Sequence, residues 1–163
     1  MSGDRPDDCA FCTALAKDDG PENLIVHRDE HAALLLNKFP YNNGHCLVIP
    51  RRHLVEPSEM TGEESAAVWA LVARTADLLR DDLRAQGVNV GLNLGSAAGG
   101  SIRHLHVHLV PRWSGDTNFM PVIGETKVLV ELLHDTYARF AAALAGGSTE
   151  SDETSSCDGG DGA

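Results

Sequence analysis

The stretch His104-Leu-His-Val-His-Leu-Val-Pro-Arg-Trp113 decides the fold, because three histidines alternate in it with apolar residues. Strict alternation over seven residues predicts a β-strand with one apolar and one polar face, and it puts the three imidazoles on the same face. Side chains two residues apart on a strand lie roughly 6.5–7 Å apart. The imidazoles could therefore meet one polyanionic ligand, or be divided between a metal ion and a substrate. The alternative is a solvated face that is merely rich in histidine.

Short apolar segments before this stretch predict four more strands. Two of them, at 24–27 and 32–37, flank the polar turn Arg28-Asp29-Glu30 and predict a β-hairpin. A third strand is predicted at 45–50, where Pro50 ends it. The fourth is predicted at 88–95, because apolar residues alternate there with Asn89, Gly91 and Asn93. The histidine stretch is then the fifth strand of the chain.

Helical periodicity occurs in two long segments and one short one. The capping box Thr61-Gly-Glu-Glu64 opens the first long helix, which the apolar spacing extends for about seven turns until Gly87. A second amphipathic helix is predicted over 127–144, where Leu132 is expected on the apolar face. A short helical piece follows Cys9 and runs to about Lys17. The predicted architecture is therefore five strands with a long central helix and a C-terminal helix.

Composition restricts the class of protein. A chain of 163 residues suits one domain with a sizeable core. Its formal net charge of −11 argues against binding to nucleic acid, whose phosphates need a basic face. No apolar run is long enough for a membrane span, and the N-terminus does not resemble a signal peptide, so a cytoplasmic protein is expected. The four cysteines are too few for a disulfide framework in a chain of this size.

The pair Cys9 and Cys12 forms a C-x-x-C motif with three possible interpretations. A thioredoxin-like redox motif should follow a strand, and none precedes it here. Two unliganded small hydrophobic residues are the second possibility. The third is half of a zinc site, which two histidines would complete. The candidates for those two ligands are His45, His53, His104, His106 and His108. A closed Cys2His2 shell would be structural, because it leaves no position for metal-bound water.

Chemistry would then fall to the remaining histidines. A neutral imidazole can attack an electrophilic phosphorus when its other nitrogen is held by a hydrogen bond. The loop Gly99-Gly100-Ser101 precedes the histidine stretch and would let backbone N–H groups approach a phosphate closely.

The sequence His-Leu-His-Val-His-Leu-Val at 104–110 resembles the signature of the histidine-triad family at every position. The resemblance covers about 9–144, and its further motifs are the turn Asn37-Lys-Phe-Pro-Tyr-Asn-Asn-Gly-His45, the strand end Leu-Val-Ile-Pro-Arg-Arg-His53, the strand at 89–93 and the Gly-Gly-Ser loop. It implies a nucleotide-binding α+β homodimer that pairs antiparallel sheets.

The resemblance also implies a role for each site residue. His106 would be the nucleophile that forms a covalent nucleotidyl intermediate, and His108 would contact the phosphate and the leaving group. His45 would brace the triad, and Asn37 would bind the ribose. Asn93, with the Gly100-Ser101 loop, would bind the phosphates. Family members with the N-terminal C-x-x-C motif use it with two histidines, which correspond here to His53 and His104, so that the implied zinc ligands are Cys9, Cys12, His53 and His104.

Within the family, the sequence looks most like the branch of diadenosine tetraphosphate phosphorylase and ATP adenylyltransferase. Gly-Gly-Ser before the triad and Pro-Arg-Trp-Ser-Gly-Asp-Thr-Asn-Phe-Met-Pro after it carry this resemblance. The hydrolase branches commonly have a glutamine where Gly100 or Ser101 stands here. The expected partners are adenine nucleotides or dinucleoside polyphosphates. A hydrolase of dinucleoside polyphosphates or nucleoside phosphoramidates is the alternative, and a non-catalytic nucleotide-binding module is a third hypothesis.

The ends of the chain differ in composition from its centre. Residues 1–8 are polar and are predicted to be loose, 9–145 form the domain, and 146–163 are predicted to be a disordered acidic tail that contains Cys157.

Deletion of 148–163 is expected to leave both the melting temperature and the activity unchanged, because Ser, Thr, Gly and acidic residues have almost nothing to pack. Thermal melting of the full-length and shortened proteins in parallel measures this. A clear fall in melting temperature would show instead that the tail docks on the domain.

Overall fold

The computed structural model describes residues 9–116 and 131–146. In chain order the elements are helix α1 (Ala10–Leu15), strands β1 (Ile25–Arg28), β2 (Ala32–Leu36) and β3 (Cys46–Pro50), helix α2 (Gly62–Asp81), strands β4 (Gly87–Leu92) and β5 (Val107–Arg112), and helix α3 (Leu133–Gly146). Short 3-10 turns at Pro57–Glu59 and Ser96–Ala98 lie in the connections. These elements give the predicted α+β fold.

The five strands form one antiparallel sheet in the order β1-β2-β3-β5-β4. The connection that contains α2 separates β3 from β4, so β5 inserts between them and pairs with both. In this register His108 lies opposite Leu47 on β3 and Gly91 on β4. The histidine stretch is therefore in the interior of the sheet, where neighbouring strands fix its position on both sides.

The alternation of side chains along the strands divides the core into two layers. On one face of the sheet, residues such as Leu34, Val48 and Leu109 pack against α2 and against Phe140 of α3. On the other face, Leu35, Leu47 and Ile49 pack against α1 through Cys9 and Phe11. The short helix α1 is therefore the main cover of the second face within the described residues, and it lies on the face that His108 shares with Leu47.

Helix α2 begins as the sequence predicts and ends earlier. Thr61 and Glu64 form the expected capping box, and Arg52 donates two hydrogen bonds to the Glu64 carboxylate at 2.8 Å each. The helix has 20 residues and ends at Asp81, so the prediction of about seven turns up to Gly87 was wrong. The chain leaves the helix because Arg84 has a positive φ of 54° and its carbonyl accepts a hydrogen bond from Trp113 Nε1 at 3.1 Å.

Two other predicted boundaries also differ from the structure. Strand β5 begins at Val107, so His104 and His106 precede the ladder that the alternation predicted for them. Helix α3 begins at Leu133, because the Leu132 carbonyl accepts the N–H groups of Asp135 and Thr136 as a helix cap does. Leu132 is 73% exposed, so the prediction that it lies on the apolar face of this helix was wrong. The predictions for 1–8, 117–130 and 147–163 lie outside the described residues.

Strand β4 is at the edge of the sheet and is less buried than its alternation predicted. Val90 and Leu94, which were assigned to the apolar side, are each 44% exposed. Among the helices in the described ranges, none combines the length and the apolar character that crossing a membrane requires.

Candidate active site and metal centre

Four potential metal ligands meet where α1 covers the sheet. Cys9 and Cys12 flank the first turn of α1, His53 follows β3, and His104 precedes β5. Their ligand atoms all lie within 4.8 Å of one another. The Nδ1 atom of His104 is 3.5 Å from Cys9 Sγ and 3.6 Å from Cys12 Sγ, and His53 Nδ1 is 3.3 Å from Cys12 Sγ. The structure therefore brings together the four residues that the family resemblance implied as metal ligands.

These separations fit a tetrahedral metal shell. With Zn–S bonds of about 2.3 Å and Zn–N bonds of about 2.0–2.1 Å, a sulfur and a nitrogen ligand lie roughly 3.6 Å apart. The tautomer of His104 also suits metal binding. Its Nε2–H donates to the Pro50 carbonyl at 2.9 Å, which leaves the Nδ1 lone pair facing both sulfurs. Burial lowers the pKa of His104 to about 4, so the imidazole is neutral at pH 7. The cluster could hold one metal ion.

His106 lies beside this cluster with one ring nitrogen restrained. Its Nδ1–H donates to the His104 carbonyl at 2.6 Å, so the neutral ring carries its lone pair on Nε2. The Phe11 ring, which stands between the two cysteines in the sequence, packs edge-on against His106 with 5.3 Å between ring centroids, and it packs against His104 at 5.7 Å. His106 is 7% exposed. The nucleophile predicted from the sequence is therefore held by a backbone oxygen on one side and an aromatic ring on another.

A chain of hydrogen bonds sets the tautomer of His108. The backbone N–H of Tyr41 donates to His45 Nδ1 at 3.0 Å, so neutral His45 carries its proton on Nε2. That Nε2–H donates to His108 Nδ1 at 2.9 Å. Neutral His108 then carries its own proton on Nε2, and the side-chain Nδ2 of Asn93 lies 3.4 Å from that atom. His108 is thus a hydrogen-bond donor at the atom that faces away from His45.

His108 remains neutral at physiological pH. Burial is the main reason why the pKa of His108 is lowered to about 4, and the electrostatic effect of the neighbouring His106 acts in the same direction. The rings of His106 and His108 are 4.8 Å apart between centroids. The site therefore offers one unprotonated nitrogen on His106 and one N–H on His108, side by side.

A cavity of about 460 Å³ opens over these two imidazoles. Helix α1, β2, the turn after β2 and the loop before His104 form its walls, which are mainly apolar around Phe11, Leu35 and Ile102. Its volume lies within the range of about 300–1,000 Å³ that is typical of small-molecule sites. Asn37 and Ser101 also line it, together with Lys17 and Lys38. This mainly apolar cavity is also lined by two imidazoles, two lysines and the single carboxylate of Glu22, a set that suits a ligand with an aromatic part and an anionic part.

The other predicted binding residues lie on loops around the two imidazoles, after β2, after β4 and before the histidine stretch. Asn37 Nδ2 contacts His45 Nδ1 at 3.2 Å, and its Oδ1 accepts the Phe39 N–H at 3.0 Å. Asn93 and Gly100 line a neighbouring cavity of about 330 Å³, which His106 also borders. His106 therefore lies between the two cavities. His104 belongs to the metal cluster through its side chain and contacts His106 through its carbonyl.

Gly100 is expected to tolerate no side chain. A Cβ there would lie 2.7 Å from the Asn93 carbonyl oxygen and 2.9 Å from that of Gly95, so the loop would have to move. Gly100→Ala should lower kcat/KM by about tenfold or more, since displacement of a binding loop by about 1 Å can cost about a hundredfold. Gly62→Ala is the matched control, because a Cβ at Gly62 meets nothing within 4 Å. Equal activity of the two variants would show that catalysis does not depend on the position of the Gly100 loop.

Two aromatic residues of the site were missed by the sequence reasoning. Tyr41 stacks nearly parallel to His108, with 5.9 Å between centroids and 11° between planes, and its N–H orients His45. Phe11 packs against His106. Both residues lie in motifs that the sequence analysis had identified, Tyr41 in the turn before His45 and Phe11 within the C-x-x-C motif. Neither motif indicates which ring its aromatic side chain contacts in the folded protein.

Comparison with known proteins relates most of the chain, including the histidine stretch, to one family. The HIT domain family matches residues 20–115. A Mycobacterium tuberculosis protein named AP-4-A phosphorylase is 47% identical over 116 residues, which cover 71% of this chain and 60% of that protein. The chain thus spans less than two thirds of this relative. A Bacillus subtilis protein named Protein hit is 33% identical over 113 residues, which cover 69% of this chain and 77% of that protein.

Among solved structures, a zinc-bound histidine triad family protein from Mycobacterium smegmatis has a similar fold. The TM-score is 0.71 at 29% sequence identity, and the match covers 87% of this chain and 96% of that one.

Proposed function

The chain belongs to the HIT domain family, and on that premise we propose that it is a nucleotidyltransferase acting on dinucleoside polyphosphates, of the diadenosine tetraphosphate phosphorylase type. The observation that carries the proposal is the state of His106. Its Nδ1–H is fixed on the His104 carbonyl, so the Nε2 lone pair is available beside the His108 N–H. The similarity to the mycobacterial AP-4-A phosphorylase supports this choice of substrate.

In the first step, His106 Nε2 attacks the α-phosphorus of one adenylyl group. A P–N bond forms between His106 and the α-phosphorus, and the P–O bond between that phosphorus and the rest of the polyphosphate breaks. Diadenosine tetraphosphate thereby releases ATP, while an adenylyl group stays on His106. Neutral His108 donates its Nε2–H to the phosphoryl and leaving oxygens. His45 is a positioning residue, because it holds His108 in the donor tautomer through the 2.9 Å hydrogen bond.

The remaining site residues bind the substrate. Asn37 lines the larger cavity and is proposed to contact the ribose. Asn93 and Ser101 are proposed to contact the phosphates, and Gly100 lets the backbone of the loop approach them. The apolar wall that includes Phe11 and Leu35 would surround the base.

In the second step an acceptor takes the adenylyl group from His106. Inorganic phosphate as the acceptor gives ADP and restores His106, which makes the enzyme a phosphorylase. Water as the acceptor gives AMP and makes it a hydrolase, which is the alternative. A glycine and a serine at 100 and 101, where hydrolase branches commonly have glutamine, favour the phosphorylase.

We propose that the metal is zinc and that Cys9, Cys12, His53 and His104 hold it. The two thiols and two imidazoles are a typical structural zinc shell, and the zinc-bound relative from M. smegmatis supports the assignment. When bound, the ion would supply no group to the reaction and would fix α1 to the sheet. Because α1 also forms a wall of the larger cavity, this site would hold the pocket in shape.

Three further features belong to the proposal. The working form is a homodimer, which the exposed Val90 on the edge strand β4 and the exposed Leu94 just after that strand support. The domain comprises 9–145, with 1–8 and 146–163 outside it. The cytoplasm is the proposed location, and adenine nucleotides or dinucleoside polyphosphates are the proposed partners.

Incubation with diadenosine tetraphosphate, with and without inorganic phosphate, tests the reaction type. Nucleotide chromatography should show ADP and ATP only when phosphate is present. AMP and ATP, or ADP alone, in plain buffer would make the enzyme a hydrolase. Binding of the dinucleotide without any product under either condition would support the non-catalytic module instead.

A further inference from the structure

The turn after β2 carries a large apolar side chain in an unusual setting. Phe39 is 77% exposed, yet it lines the rim of the larger cavity together with Lys38 and Tyr41. The Nζ atom of Lys38 lies 5.9 Å from the centroid of the Phe39 ring. An exposed aromatic ring beside a cation at the mouth of a ligand cavity is a chemically specific surface, because it offers a π-face and a positive charge together.

The backbone that carries Phe39 is tied to the active site. The Phe39 N–H donates to Asn37 Oδ1 at 3.0 Å, and the Tyr41 N–H donates to His45 Nδ1 at 3.0 Å. Further along the turn, Asn42 Nδ2 donates to the Pro111 carbonyl at 3.0 Å, which attaches the turn to β5. The backbone that carries the exposed ring is therefore held by contacts with the same residues that orient His108, which places the Phe39 side chain beside the mouth of the cavity.

The larger cavity has room for one nucleotide unit, whereas a dinucleoside polyphosphate has two. With one adenylyl group over His106 and His108, the other nucleoside must lie outside the cavity of about 460 Å³. The polyphosphate then leaves past the rim formed by Lys38, Phe39 and Tyr41. Lys38 would lie beside the phosphates, and Phe39 would contact the second nucleoside, which is attached to the far end of the polyphosphate.

We infer that Phe39 stacks on the base of the second, non-reacting nucleoside and that Lys38 binds the polyphosphate leading to it. The inference rests on the proposed function, since it assigns the distal half of that substrate. It makes the rim the site that distinguishes dinucleotides from mononucleotides. Stacking of one base on an aromatic side chain corresponds to roughly tenfold in affinity.

The experiment compares two substrates that differ only in the distal nucleoside. Diadenosine tetraphosphate and adenosine tetraphosphate carry the same adenylyl group and the same four phosphates. For Phe39→Ala, kcat/KM with the dinucleotide should fall roughly tenfold, while kcat/KM with adenosine tetraphosphate should remain unchanged. Phe39→Trp should retain the preference for the dinucleotide. Leu132→Ala is the matched control, because Leu132 is similarly exposed at 73% and does not line the larger cavity.

Three results would overturn the inference. An equal loss with both substrates would mean that Phe39 shapes the catalytic turn, and no loss with either would mean that the base lies elsewhere. If the parent protein uses neither substrate, the proposed function fails and the distal subsite fails with it. A wild-type enzyme that is active on both substrates, with Phe39→Ala selectively impaired on the dinucleotide, supports both the function and the subsite.

Discussion

Replacing His106 by alanine is expected to lower the turnover of diadenosine tetraphosphate by at least about 10³-fold, which corresponds to about 4 kcal/mol of transition-state stabilisation. The variant loses the Nε2 lone pair that the Nδ1 hydrogen bond to the His104 carbonyl makes available. Nucleotide affinity should stay within roughly tenfold, since most of the cavity wall belongs to other residues. Rapid-quench kinetics and calorimetric titration measure the two quantities separately.

His134→Ala is the matched control for this variant. His134 lies on α3 with a side chain that is 75% exposed, and it does not line either of the two cavities that His106 borders. This control should turn over substrate like the parent protein. Since removal of the His106 ring leaves space beside Phe11, a thermal melt of His106→Ala must accompany the kinetics. Turnover that persists in a folded His106→Ala protein would rule out the covalent mechanism.

Removal of the metal ligands is expected to have the largest effect on stability. Protein purified without chelator should contain one zinc per chain, and the double variant Cys9→Ser, Cys12→Ser should contain none. A ligand present at a thousand times its Kd stabilises the folded state by about 4 kcal/mol. For a chain of this length each kcal/mol corresponds to about 2–4 °C, so the melting temperature should fall by about 10 °C. Elemental analysis and thermal melting are the measurements.

Cys46→Ala is the control for thiol loss, because Cys46 is buried on the opposite layer of the core and does not belong to the metal cluster. It should keep one zinc per chain. In the double variant below its melting temperature, KM should rise more than kcat falls, since α1 lines the cavity but offers no reacting group. Zinc near zero in the parent protein would refute the site. Loss of turnover in a fully folded, zinc-free protein would make the metal catalytic.

Much of this fold follows from local patterns in the sequence. The alternation in the histidine stretch predicts a strand, because a period of two residues matches the pleat of a sheet, and the structure has that strand from Val107 onward, after His104 and His106. The capping box at Thr61 fixes the start of α2, since its two hydrogen bonds involve only residues within one turn. The metal cluster followed from ligand chemistry and from the family resemblance, and the structure brings the same four residues within 4.8 Å.

The features that the sequence did not reveal depend on long-range contacts. Helix α2 ends at Asp81 because Arg84 is held in a left-handed conformation by a hydrogen bond from Trp113, which is distant in the chain. The stacking of Tyr41 on His108 arises from pairing of β3 with β5. Likewise, Phe11 reaches His106 only because α1 folds over the sheet. Periodicity and propensity describe neighbours along the chain, and these contacts join residues that are neighbours only in space.

The central claim is that the adenylyl group passes through His106, and trapping of that intermediate tests it most directly. The protein is mixed with diadenosine tetraphosphate in phosphate-free buffer and quenched in alkaline denaturant, because phosphorus–nitrogen bonds are labile in acid. Intact mass and peptide mapping then locate the modification. One adenylyl group on the peptide that contains His106, absent from the His106→Ala protein, is the predicted result. Turnover without any adduct, or an adduct on another residue, would contradict it.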